Sequence, residues 1–139
     1  MLNFYNKNMN LKTIFKRLIL LNLLLIILVI VSLFFESEEV ARFNENLDQN
    51  LDQISYMMFI IVVIWMLVSL INLFLLYKFK SIAKPTYLFL YIIGAILTLL
   101  TGPGATDAWT DVIGGIEMSV AGAILVFLYF TPIKKEFDK

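Results

Sequence analysis

Read from the amino end, apolar residues gather into four long blocks separated by short polar ones. Leu18 to Phe35 is almost wholly aliphatic, interrupted only by Asn22 and Ser32, and Leu11, Ile14, Phe15 and Leu18 ahead of it already recur at helical spacing. The block from about 15 to 35 is long enough to cross roughly 30 Å of hydrocarbon. A basic segment before an apolar run also describes a signal peptide, but this run is too long and lacks a small-x-small cleavage site, so an uncleaved first span is expected. Further spans are predicted at about 54–77, 85–102 and 109–131, by the same length criterion. Between the first two, the polar stretch places Val40, Phe43, Leu47, Leu51 and Ile54 at intervals of three and four. That spacing predicts an amphipathic helix over about 38–53, with Ser37 as its N-cap and Glu38 and Glu39 in the favourable first turn. The pattern as a whole predicts a single-domain, all-α integral membrane protein of four transmembrane helices in two antiparallel hairpins, with the amphipathic helix on the outer surface.

Composition sharpens this reading. Of 139 residues, 60% are hydrophobic and 16% charged, against about 45 to 50% apolar and roughly 25% charged in soluble domains. The 11 basic and 11 acidic residues cancel, so nothing argues for nucleic acid as a partner, and the bilayer itself is the first one implied. Cysteine and histidine are both absent, which removes disulfides, thiol catalysis and metal sites built on sulfur or imidazole. No cofactor is expected. All the lysines and arginines except Arg42 fall in the N-terminal segment, the 78–84 loop or the C-terminal tail. The positive-inside rule then places both termini in the cytoplasm of a cell that carries the protein in its inner or plasma membrane, with Tyr77, Tyr87, Trp109, Tyr129 and Phe130 as interfacial aromatics.

Candidate chemistry is confined to polar residues within the spans. Glu117 lies in the fourth apolar block among Gly114, Gly115, Ser119, Ala121, Gly122 and Ala123. At about 100° per residue, Asp111, Gly115, Ser119 and Gly122 share one side of that helix, while Ile113, Ile116, Val120, Ile124 and Phe127 share the other. The bulky side is expected to meet lipid and the small side to pack on the third span, whose Tyr91, Gly94, Ala95, Thr98 and Thr101 form a matching stripe. Thr98 is then the first candidate partner for Glu117, with Ser32 and Tyr56 as others. No Lys or Arg lies within a span, so an ion pair would need Arg42 to fold inward, and desolvation favours a neutral carboxyl. Asp107 and Asp111 are expected to cap the outer end of the last helix, although with Glu117 they are also hard oxygen donors of the kind a cation prefers, in a spacing that matches no metal motif. Asn22 and Asn72 are expected to bond each other between the first and second spans.

Three functions remain open on these residues. The first is a non-enzymatic accessory or assembly subunit, in a homo-oligomer or a larger membrane complex, that packs through the third and fourth spans. The second is a small proton-coupled carrier or channel using Glu117. The third is an immunity- or inhibitor-type membrane protein acting through its outer acidic helix.

Overall fold

The computed structural model describes residues 2–48, 52–100 and 105–138, with side chains described from residue 11 onward except at 33, 47, 48 and 52–56. The helices are α1 (Leu2–Ser32), α2 (Glu38–Asp48), α3 (Asp52–Tyr77), α4 (Ala83–Leu100) and α5 (Ala108–Phe130), with 3-10 turns at Leu33–Phe35 and Pro132–Glu136. Among the described residues, four segments are long and apolar enough to cross a bilayer: Leu11–Ser32, Met57–Tyr77, Ala83–Leu100 and Ala108–Phe130. The chain is therefore a multi-pass, all-α membrane protein. The first span closes at Ser32 rather than Phe35, because the chain tightens into a 3-10 turn there. Helix α4 begins two residues before Pro85, which sits in the first turn where its missing amide hydrogen needs no partner. The expected amphipathic helix is present as α2. Its residues 49–51, and the side chains of Leu47, Ile54 and Tyr56, lie outside the described residues, as does Thr101.

The helices do not pair as the small-residue stripes predict. Helix α5 packs chiefly on α1 and helix α3 on α4, while α4 and α5 touch little. Gly94 of α4 receives the ring of Trp65 instead: a Cβ at Gly94 would stand 2.6 Å from Trp65 Cζ2, and the indole nitrogen donates to Leu90 O at 2.9 Å. On α5, Ile124 and Leu128 are fully buried together with Phe15 and Ile19 of α1 and Leu73 and Leu76 of α3. Phe127 stacks on Phe15 with centroids 6.2 Å apart, and Val120 packs against the same core. The expectation that this bulky side faces lipid is thus corrected, Ile116 alone among these being clearly exposed, whereas Gly115 and Ser119 point outward. The physical reason is that lipid tails are as apolar as leucine, so polarity does not choose the inward side of an aliphatic helix. Filling voids and satisfying polar groups choose it.

The two ends of the bundle differ in chemistry. At the basic end, Phe15, Phe79 and Phe137 pack against one another, the first two with centroids 5.8 Å apart. Phe79 closes α3 at φ 54, its amide donating to Leu76 O while the Lys80 amide donates to Leu75 O. This is the left-handed helix stop that glycine usually makes; an aromatic there is costly, and its place in the ring cluster offsets the cost. Lys12 pairs with Glu136 at 2.8 Å, and Lys16 lies 4.7 Å from the Tyr77 ring centroid. At the acidic end, α2 is tied to the segment before α5. Asn44 Nδ2 donates to Ala105 O and Asn44 Oδ1 accepts from the Ala105 amide, both at 3.0 Å. Arg42 does not fold inward; it pairs with Glu38 at 3.3 Å one turn away.

Candidate functional site

The site is built from the buried stripe of α5. Thr110, Ala121, Ile124 and Leu128 are buried, and Glu117 falls between Thr110 and Ala121 on that same face. Glu117 therefore points into the bundle, toward α1. There Asn22 Nδ2 donates to Glu117 Oε1 at 2.7 Å, and Asn22 is 1% exposed. The predicted partner Thr98 is not brought there: it is exposed on α4, with its hydroxyl donating to Gly94 O of its own helix. Ser32 likewise donates to Val29 O at 2.6 Å. The α1 to α5 pairing, which α4 was expected to supply, is the cause.

Asn72 comes to the same depth without joining the pair. Lys16 lies over Tyr77 and Phe15 against Phe79, so six residues along α1, about 9 Å of rise, bring Asn22 level with residues 71 and 72 of the antiparallel α3. Asn72 is 1% exposed, and neither its Nδ2 nor its Oδ1 has a hydrogen-bond partner among the described residues. The expected Asn22 to Asn72 bond is thus replaced by the Asn22 to Glu117 bond. A carboxyl and an amide make a stronger pairing than two amides, and a buried Glu left unpaired costs more than a buried Asn. A fourth polar group, Tyr87, enters this layer from α4, where its hydroxyl donates to Ala121 O at 3.4 Å, one turn from Glu117. Sequence reasoning placed Tyr87 at an interface; its burial was signalled only by Ala83, Tyr87, Leu90 and Leu97 recurring at helical intervals, all of which are buried.

The two aspartates stand where expected, Asp107 at the N-cap position and Asp111 in the first turn of α5, but the expected cap bond of Asp107 is not made. Its side chain accepts instead from the Ser37 amide at 2.9 Å, at the head of α2. Asp111 accepts from the Thr106 hydroxyl. Both sit at the acidic end, Asp111 exposed, and each is engaged locally; Glu117 lies deeper, on Asn22. They do not converge with it on one ligand.

Four helices thus contribute Asn22, Asn72, Tyr87 and Glu117 to one polar layer inside an apolar bundle. Its chemical capacity is specific. A primary amide is both donor and acceptor, so Asn22 can donate to a carboxylate or, rotated, accept from a carboxylic acid. Glu117 keeps a partner in either protonation state. This defines a polytopic membrane protein with an intramembrane carboxyl held by an amide. No protein-family model, curated protein or solved structure matches the chain.

Proposed function

We propose that the protein is a non-enzymatic membrane subunit that joins another transmembrane helix, from a second copy or a larger membrane complex, through the outward face of α5. One observation carries this reading: a Cβ built at Gly114, Gly115 or Gly122 meets nothing within 4 Å. Gly115, Ser119 and Gly122 lie opposite the buried stripe, the first two at small-xxx-small spacing and the third one turn on, which lets a neighbouring backbone approach closely in lipid. The lysine and arginine distribution supports a cytoplasmic basic end and an inner- or plasma-membrane location. The test is Gly115→Ile with Gly122→Ile, read by cross-linking in native membranes and by mass in detergent. Loss of a wild-type assembly with the helical fold retained is expected. A wild-type protein that is strictly monomeric in both measurements, with no cross-linked neighbour, overturns the proposal.

A second reading, a small proton-coupled carrier or channel, is favoured by the polar layer, where Asn72 has no hydrogen-bond partner among the described residues at the depth of a carboxyl that keeps its amide in either protonation state. It requires Glu117→Gln to abolish proton-driven flux in proteoliposomes while the fold survives. Unchanged flux rejects it.

A further inference from the structure

At the basic end, a cavity of about 360 Å³ opens between the start of the α1 span and the 3-10 turn after α5. Its walls include Leu11, Lys12, Phe130, Lys134, Lys135 and Glu136. We propose that this cavity binds the phosphate headgroup of an anionic phospholipid. This rests on the chain spanning a membrane and is independent of the assembly reading.

Position, charge and shape each point to that ligand. Leu11 opens one span and Phe130 closes another, so the cavity lies at the depth where headgroups begin. Three lysines against one glutamate give it a net charge of +2, from +3 and −1. Lys12 is paired with Glu136, leaving the Lys134 and Lys135 ammonium groups with no ion pair among the described residues. These two lysines stand on a turn fixed from below. Ile133 and Phe137 are buried, and Thr131 Oγ1 accepts from the Ile133 amide at 3.3 Å. A fixed turn lowers the ordering cost of binding. The apolar rim selects a lipid over a free anion, since Phe130 is 84% exposed where an acyl chain would run. Basic pockets at helix ends are a known mode of lipid headgroup recognition.

The test uses the full chain, purified and supplied separately with phosphatidylglycerol, phosphatidylcholine or inorganic phosphate, with bound lipid read by native mass spectrometry and stability by thermal unfolding. Phosphatidylglycerol should be retained and raise the unfolding temperature, and the other two should not. Lys134→Gln with Lys135→Gln should lower retention about 25-fold, at roughly a factor of five per lysine. Replacing both by Arg should keep it, a control that separates lost charge from a damaged turn. Lys78→Gln with Lys80→Gln, exposed lysines at the same end but outside the cavity, should leave retention unchanged. Equal retention of both lipids, an equal shift with phosphate alone, or an equal loss in the Lys78 and Lys80 variant overturns the proposal.

Discussion

Gly94 on α4 and the glycines of α5 belong to two stripes that look alike in the sequence and have opposite surroundings in the fold. Around Gly94 the space is taken by Trp65, pinned by its bond to Leu90 O. Around Gly114, Gly115 and Gly122 it is open. A small residue in a membrane helix is thus no more than a permission for close approach. Whether the permission is used within the chain depends on a large side chain standing opposite, and α4 meets one where α5 does not. The filled face belongs to the internal packing of the α3 and α4 pair, and the open face is not filled by the described part of the chain.

The comparison is tested most severely by giving both faces larger side chains. Gly94→Leu should destabilise the fold by about 3 kcal/mol, the upper range for overpacking, because the indole is rigid and hydrogen-bonded. Thermal unfolding in detergent measures it, and shortening Trp65 to Leu in the same chain should recover part of the loss. A Gly94→Leu protein as stable as wild type would mean that Trp65 does not occupy that face. The polar layer offers a sharper and smaller test. Asn22→Leu leaves Glu117 without its donor and should cost about 1 to 3 kcal/mol, whereas Glu117→Gln keeps an amide-to-amide bond and should cost less than about 1 kcal/mol. Equal losses from the two, in the same unfolding measurement, would show that the pair does not hold α1 to α5. The smallest expected effect reverses sign. Gly115→Ala has room for its methyl and restricts the unfolded backbone, so it should stabilise the isolated chain by about 0.5 kcal/mol, while Gly94→Ala destabilises it. The same sign at both positions would erase the distinction between the faces.

Much of the architecture is legible without coordinates. The four spans come from run length alone, the amphipathic α2 from the spacing of Val40 and Phe43 and the acidic first turn, and the clustering of lysines at one end from simple position. The polar residues that matter are also visible, since Asn22, Asn72 and Glu117 stand out inside apolar runs. Their partners are not. Thr98 was the natural choice for Glu117 on the assumption that a short loop forces α4 against α5, yet the Glu reaches Asn22 on α1, nearly a hundred residues earlier in the chain. Tyr87 gave only a weak sign of leaving the interface for the interior, its helical spacing with Ala83, Leu90 and Leu97, because an aromatic near a span end fits both places.

The amino-acid sequence by itself determined that this is a multi-pass membrane protein, where its four long apolar helices among the described residues lie, and which few polar atoms its interior must accommodate. Those follow from lengths and transfer energies, which are properties of each segment alone. Only the tertiary structure decided how the helices rotate and pair, hence that Ile124 and Phe127 turn inward, that Asn22 rather than Thr98 holds Glu117, and that the α5 glycines remain open. In water, the polar face of a helix announces which side points out. In lipid, both sides are apolar, so side-chain volume and the pairing of a few buried polar groups choose the arrangement, and these are properties of pairs of helices.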